Sequence, residues 1–251
     1  MRPEVRSAAP ALAGAPFLVV LLSALFLASA LTGCSSLPSF KVSGLPPSVR
    51  VEDHGDWIAL LPSSGTPRQT GLLYYPGGFV APLAYLEILA PLAEAGYPVF
   101  IVRMPFDLAF FAPDRGFEII AKEKPVKRWV IAGHSLGGVA AAIAVHDRPG
   151  VLSGIAFWAS YPPDSADLSG TAIRGLSISG SMDGLSTPAK LAKAAPLLPK
   201  DTTTIVIEGG NHAQFGSYGR QRGDGEAAIP ATEQQAEVAQ AMLAFMATIP
   251  E

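Results

Sequence analysis

Ser135 is the residue of this 251-residue chain whose neighbours most directly indicate a reactive side chain, because glycines lie on both sides of it. It lies in the run Gly133-His134-Ser135-Leu136-Gly137, after the apolar residues 129–132 and before a stretch of small residues, 139–145, that is typical of a helix. Flanking glycines permit a sharp strand-to-helix turn that pushes a serine hydroxyl out of the backbone. The G-x-S-x-G spacing therefore predicts a nucleophile at the end of a strand, although a lone serine there could also cap the helix.

Two further side chains complete the groups that a serine nucleophile needs. Asp183 follows an alternating apolar stretch that begins at Leu176, and His212 follows another stretch through a glycine-rich loop. Because the carboxyl ends of parallel strands lie along one edge of a sheet, Ser135, Asp183 and His212 can meet there. Each alone is an ordinary cap, turn or loop residue. Their common position after strands favours a catalytic set, with Asp164 as the alternative acid.

A serine, a histidine and an aspartate would have separate roles in acyl transfer. A serine hydroxyl is a weak nucleophile at neutral pH, so a base must accept its proton as it attacks a carbonyl. His212 can do so because the ordinary pKa of an imidazole is about 6.5. Asp183 would hold one imidazole nitrogen and stabilise the transient imidazolium. The backbone N–H of Leu136, with a second N–H from Gly78 or Phe79 in the loop after the third strand, would stabilise the oxyanion.

The same motifs resemble those of α/β-hydrolases, most closely the small dienelactone-hydrolase-like esterase branch. The resemblance rests on Tyr75-Pro76-Gly77-Gly78-Phe79, Gly133-His134-Ser135-Leu136-Gly137-Gly138, Gly180-Ser181-Met182-Asp183-Gly184 and Gly209-Gly210-Asn211-His212-Ala213-Gln214-Phe215-Gly216. It favours Asp183 over Asp164 as the acid, because the loop of Asp183 matches the family motif. Dienelactone hydrolases proper have a cysteine nucleophile, whereas this chain has Ser135. The resemblance therefore implies a serine hydrolase that cleaves carboxylic esters, with a small-molecule ester as substrate, and that needs no cofactor.

Strands that alternate with helices must bring these loops together. The predicted strands are an antiparallel pair at 49–52 and 57–61, followed by 72–75, 98–102, 128–132, 154–159, 173–179 and 203–208. The predicted helices are 82–95, 114–122, 136–145, 188–195 and 232–247. This alternation predicts an α/β fold of three layers, the α/β-hydrolase fold, with a mostly parallel central sheet and helices on both faces. Only the short segment 161–171 separates two of the strands, so we expect no large lid.

The first 34 residues have the composition of an export signal. Arg2 and Arg6 precede an uncharged apolar run, 17–31, and small residues then lead to Cys34, which is the one cysteine of the chain. The run is shorter than a membrane-spanning helix requires. Cys34 has no possible disulfide partner within the chain, so its position at this boundary calls for another explanation.

The boundary at Cys34 resembles a bacterial lipobox, in which the cysteine receives a diacylglyceryl group and becomes the mature N-terminus. The resemblance implies a lipoprotein signal peptide over 1–33, a lipidated tether over 34–47 and an α/β-hydrolase domain over 48–251. The protein would then be exported and anchored by several acyl chains at a membrane surface of a bacterial cell envelope. A free thiol at Cys34 and a retained transmembrane anchor are the alternatives.

Composition narrows the classes of function further. The net charge of −3, with acidic and basic residues interspersed, leaves no basic face for nucleic acid. No His/Cys spacing indicates a metal site. The loop that contains Gly77 and Gly78, called the glycine loop below, lacks a phosphate-binding lysine, so neither a metal nor a nucleotide is expected. Four phenylalanines are expected mostly in the core, with some lining an acyl pocket: Phe106, Phe110, Phe111 and Phe117.

Several activities remain compatible with the same residues. Acyl transfer and the hydrolysis of amides, lactones or thioesters use the same nucleophile, base and acid and differ in the shape of the pocket. A non-catalytic envelope lipoprotein could also keep the fold as a binding module. The sequence leaves the oligomeric state open.

Overall fold

The computed structural model describes residues 44–250 of the chain. The predicted signal peptide, 1–33, and Cys34 with most of the predicted tether lie outside this range. Within residues 44–250, no helix has both the length and the apolar composition needed to cross a bilayer.

Eight strands form one sheet in the described part of the chain. They are β1 Val49–Asp53, β2 Trp57–Pro62, β3 Thr70–Tyr75, β4 Val99–Val102, β5 Arg128–His134, β6 Gly154–Trp158, β7 Arg174–Gly180 and β8 Thr202–Ile207. Their spatial order is β1-β2-β4-β3-β5-β6-β7-β8. β1 pairs antiparallel with β2, and β2 pairs antiparallel with β4, whereas all later neighbours pair parallel. The central strands are buried along their length, as a sheet covered on both faces requires.

Helices cover both faces of this sheet. They are α1 Leu86–Glu94, α2 Gly116–Lys122, α3 Leu136–Asp147, α4 Pro188–Ala194 and α5 Ala231–Ala247. Successive strand residues point to opposite faces. Leu72 and Tyr74 of β3 therefore join the core beneath α1 and α5, whereas Leu73 and Tyr75 join the core beneath α2 and α3. The predicted three-layer α/β fold is confirmed.

One edge of the sheet collects the loops that carry the predicted site. Because β3 to β8 run in the same direction, the residues that follow β3, β5, β7 and β8 all emerge at the carboxyl edge. The segment 161–171, between β6 and β7, contains a single 3-10 turn, Asp164–Ala166, and no helical insertion. The strand ends at this edge are accordingly not covered by a lid from that segment.

The helix predicted for 82–95 is divided into two parts. A 3-10 turn, Pro82–Tyr85, precedes α1, and Tyr85 departs from helical geometry with φ −109° and ψ 0°. The Tyr85 side chain is fully buried and its hydroxyl makes two hydrogen bonds at the carboxyl edge. The apolar spacing therefore predicts the helix correctly, but it does not show that residues 82–85 form a 3-10 turn before it.

Candidate active site

Ser135 occupies the sharp turn between β5 and α3. Its backbone has φ 52° and ψ −123°, a conformation that non-glycine residues rarely adopt and that costs about 1–3 kcal/mol. The turn is held on both sides of the residue, because Ser135 N–H donates to the Trp158 carbonyl at 3.0 Å and Ser160 Oγ donates to the Ser135 carbonyl at 2.7 Å. The strand and helix predicted around Ser135 therefore produce the partly exposed, strained serine that the motif indicates.

Two glycines of the motif are required by close contact between backbone segments. A Cβ at Gly133 would collide with the backbone of Gly137, and a Cβ at Gly137 would collide with the carbonyl oxygens of Tyr75 and Pro76. Both neighbours are main chain, which cannot rotate aside as a side chain could. The glycines thus let α3 begin directly against the end of β3, next to the loop that carries Gly78.

Asp183 and His212 form a buried pair at the same edge. His212 Nδ1 lies 2.9 Å from Asp183 Oδ2, and the two side chains are 1% and 0% exposed. The other carboxylate oxygen, Oδ1, accepts the N–H groups of Leu185 at 2.8 Å and Ser186 at 2.7 Å. These donors stabilise the ionised carboxylate, which in turn favours a proton on Nδ1 of the histidine. Asp164, the alternative acid, is exposed in its 3-10 turn.

The second nitrogen of His212 is left free to act as a base. With the proton on Nδ1, Nε2 carries a lone pair; it is buried and has no hydrogen-bond partner among residues 44–250. The His212 ring lies 4.6 Å, centre to centre, from the ring of His134, the residue before Ser135. Within the same range no hydrogen bond joins Ser135 Oγ to Nε2. Such bonds often tighten only when substrate is present.

His134 is part of a buried chain of hydrogen bonds that the sequence did not reveal. The Tyr85 hydroxyl accepts the Gly77 N–H at 2.9 Å and lies 2.9 Å from His134 Nδ1. We assign the tyrosine proton to that nitrogen, because within residues 44–250 it is the one hydrogen-bond partner of the hydroxyl that can accept. Burial, and secondarily the neighbouring His212, hold the pKa of His134 well below its ordinary value. His134 is therefore neutral and links the glycine loop to the turn of Ser135.

The candidate oxyanion donors lie side by side. Leu136 is the first residue of α3, and the first N–H groups of a helix have no acceptor within it. A Cβ on Gly78 would come within 2.7 Å of Leu136 Cδ1, so the two residues are in close contact. The Gly78 N–H has no hydrogen-bond acceptor among residues 44–250, whereas the Phe79 N–H donates to the Asp107 carbonyl at 2.9 Å. This difference favours Gly78 over Phe79 as the second donor.

Three of the four phenylalanines expected mostly in the core are instead exposed. Phe106 is 81% exposed, Phe110 44% and Phe111 57%, and only Phe117 packs against the core. The reason is the backbone path after β4, which runs through two short 3-10 turns in which Phe106 has a left-handed φ of 55°. Phe106 and Phe111 contact each other, with ring centres 5.9 Å apart. The expectation of burial was wrong because apolar type does not specify this backbone path.

These phenylalanines continue an apolar surface beside the oxyanion loop. Phe79, 66% exposed, is joined by its N–H to Asp107, the residue after Phe106. Leu136, directly after the serine, is 40% exposed. We call Phe79, Phe106, Phe110 and Phe111 the aromatic rim. Residues 44–250 contain no group of three or more His, Cys, Asp or Glu side chains placed to ligate a metal ion.

Solved structures resemble this fold over most of its length. A predicted CIB-like hydrolase from Thermoplasma acidophilum has a TM-score of 0.58 and 17% identity, covering 81% of this chain and 99% of its own. Esterase 2 of Thermogutta terrifontis, phosphorylated by paraoxon, has a TM-score of 0.59 and 14% identity, covering 85% and 100%. An α/β hydrolase from the sediment metagenome of the Mar Chica lagoon, Morocco, has a TM-score of 0.57 and 18% identity, covering 79% and 98%.

At these identities the likeness to solved structures shows the fold alone. No curated protein is a significant match to the sequence. The model of the alpha/beta hydrolase family, in contrast, matches residues 71–236, which include the turn of Ser135 and both partners of the buried Asp183–His212 pair. The chain belongs to the alpha/beta hydrolase family.

Proposed function

We propose that the protein is a serine hydrolase that cleaves carboxylic esters through an acyl-enzyme. The observation that carries the proposal is the buried Asp183–His212 pair, whose free Nε2 lies at the same sheet edge as the strained Ser135. Family membership and the esterases among the structural neighbours support it. Among these neighbours, the Thermogutta terrifontis esterase 2 is a protein that paraoxon phosphorylates.

The reaction would proceed in two proton-balanced halves. Ser135 Oγ attacks the carbonyl carbon while His212 Nε2 accepts the hydroxyl proton, and the N–H groups of Leu136 and Gly78 stabilise the oxyanion. As the oxyanion collapses, the carbon–oxygen bond to the alcohol breaks and His212 returns its proton to the departing alkoxide. Water then attacks the acyl-enzyme while His212 accepts a proton from it; the bond between the acyl carbon and Ser135 Oγ breaks, His212 returns the proton to Oγ, and the acid is released. Asp183 stabilises the imidazolium in both halves.

The open surroundings of Ser135 favour hydrolysis over transfer to another acceptor. Ser135 is partly exposed, and the segment between β6 and β7 places no helical lid above it. An acyl-enzyme that water can reach is hydrolysed unless the site excludes water. Amides, lactones and thioesters would use the same groups, and the dienelactone-hydrolase-like character inferred from the motifs remains part of this proposal.

The aromatic rim supports a preference for esters with a large apolar group. An apolar acyl chain or alcohol that leaves Ser135 along Phe79 and Phe106 would cover side chains that are now in water, and burying apolar area contributes about 25 cal/mol per Å². Left-handed backbone at Phe79 and Phe106 costs energy and needs support from the surrounding structure. The cost is compatible with a function for these side chains at the surface.

We also propose that the mature protein is an envelope lipoprotein. The support is the sequence at 1–34, whose charged start, apolar run and single cysteine resemble a lipoprotein signal. The ester-hydrolysing domain would then work at a membrane surface, held by the acylated Cys34.

Replacing the nucleophile tests the proposed reaction. Ser135→Ala should lower kcat for 4-nitrophenyl butyrate by at least about 10⁴-fold, because no other group forms the acyl-enzyme. Ser165→Ala, a change at an exposed serine of the segment 161–171, is the matched control and should keep wild-type kcat. Thermal melts should show both variants folded. Turnover by Ser135→Ala close to that of the control would contradict the assignment.

Shortening the aromatic rim tests the substrate preference. Phe106→Ser should lower kcat/KM for 4-nitrophenyl octanoate by about 5- to 30-fold, because part of a phenylalanine contact of about 1–2 kcal/mol is lost. The acetate ester is too short to reach it and should change less than about twofold. Val151→Ser removes an exposed apolar side chain at the opposite edge of the sheet and is the control. Equal losses on both esters would contradict the preference.

Metabolic labelling tests the lipid anchor. Cells expressing the full chain and fed an alkyne fatty acid should incorporate label into the wild-type protein and none into Cys34→Ala, because Cys34 supplies the thiol. Cys34→Ala should also run at the size of the unprocessed precursor on a gel. Label retained by this variant would argue against acylation of Cys34.

A further inference from the structure

We infer that Asp224, a residue outside every motif of the sequence, is a positioning residue that fixes two loops relative to each other; this inference rests on the proposed function. The two loops are the acid loop, which follows β7 and carries Asp183, and the base loop, which follows β8 and carries His212. Asp224 lies in the connection between the 3-10 turn Ala213–Phe215 and α5. It is half-buried, and within residues 44–250 none of its side-chain hydrogen bonds goes to the Ser135 turn. Its role is therefore indirect, through the main chain that carries Asp183 and His212.

The two oxygens of Asp224 accept N–H groups from both loops. Oδ1 accepts the N–H of Gly184, the residue after Asp183, at 3.1 Å and the N–H of His212 at 3.2 Å. Oδ2 accepts the N–H of Ala213 at 2.8 Å, and Oδ1 also accepts the N–H of Gly225 at 2.8 Å. One side chain thus holds the backbone on the C-terminal side of Asp183 and the backbone at His212.

A carboxylate suits this position better than any other side chain of similar size. An ionised carboxylate is an acceptor at both oxygens and a donor at neither, and at Asp224 Oδ1 accepts three N–H groups and Oδ2 one. Hydrogen bonds to an ionised acceptor are roughly twice as strong as neutral ones. An asparagine in the same place would turn one of its ends into an N–H₂ group that faces backbone donors.

The main chain around Asp224 packs directly on the acid loop. A Cβ at Gly225 would collide with the Met182 carbonyl, and a Cβ at Gly184 would come within 2.6 Å of the Gly223 carbonyl oxygen. Asn211 Nδ2 also donates to the Gly225 carbonyl at 2.8 Å. The loop of Asp224 therefore packs between the acid loop and the base loop. Its carboxylate determines how far apart these two loops lie.

The spacing between the acid loop and the base loop matters because it affects proton transfer from Ser135 to His212. The Asp183–His212 hydrogen bond orients the imidazole ring, and Asp224 anchors the backbone from which that ring extends. Because Asp224 contacts backbone amides and not the ring, its loss should disturb the approach of Nε2 to Ser135 without altering substrate binding. The predicted signature is a lower kcat with little change in KM.

Asp224→Asn in the full-length protein tests the inference. We expect kcat for 4-nitrophenyl butyrate to fall at least about tenfold, KM to change less than about twofold, and the number of sites titrated by a slow 4-nitrophenyl phosphonate to stay near one per chain. Amide hydrogen exchange at Gly184, His212 and Ala213 should accelerate. Glu226→Gln is the matched control, because Glu226 is an exposed carboxylate of the same loop that pairs with Arg220.

Three outcomes would overturn the inference. They are wild-type kcat in Asp224→Asn, a loss of kcat matched by an equal loss of titratable sites, and unchanged exchange at the three amides. Lack of ester turnover in the wild-type protein would instead contradict the proposed function. Amide exchange would still decide in that case whether Asp224 holds the two loops together.

Discussion

Direct contact between backbone segments at the end of β3 is the constraint on which the site depends. Gly137, at the start of α3, lies against the carbonyl oxygens of Tyr75 and Pro76, and Gly133 lies against Gly137. A side chain at either glycine would force the helix away from the strand. Because the same short stretch leads into Gly78, one contact fixes both the turn of Ser135 and the loop of the second oxyanion donor. The strain at Ser135 persists because its surroundings leave no alternative path.

Hydrogen bonds between segments that are distant in the sequence also hold the site residues in place. Tyr85 joins the glycine loop to His134, and Asp183 joins His212 to the end of β7. The two buried histidines lie against each other, and burial keeps His134 neutral. A second cation next to His212 would oppose the imidazolium that the reaction forms. A neutral His134 avoids this repulsion, and the charge that develops on His212 can be stabilised by Asp183 alone.

Much of this architecture could be predicted from the sequence, because the signals are local. Apolar runs mark the buried strands, and glycines mark the turns at their ends, so Ser135, Asp183 and His212 could be assigned to one edge. Tyr85 and Asp224 could not be found in this way. Tyr85 contacts a histidine 49 positions away, and Asp224 accepts from an amide 40 positions away. Neither lies in a motif, and their partners are backbone groups or a side chain that only the folded chain brings near.

The phenylalanines after β4 show that residue type alone does not predict burial. Phe106 and Phe111 have the residue type of a core, but left-handed and 3-10 backbone turns leave them in water beside the site. Their exposure depends on φ and ψ angles and on the hydrogen bond between Phe79 and Asp107. Residue type and spacing therefore predict the candidate catalytic residues, but they do not predict which side chains are exposed around them.

The most direct measurement of the central claim is peptide mapping by mass spectrometry after reaction with a fluorophosphonate. A hydroxyl that His212 activates should be phosphonylated once per chain, on the peptide that contains Ser135, and His212→Ala should slow this labelling at least about 100-fold. Folded protein that stays unlabelled, or an adduct on another residue with Ser135 unmodified, would contradict the account and would favour a binding role for the fold.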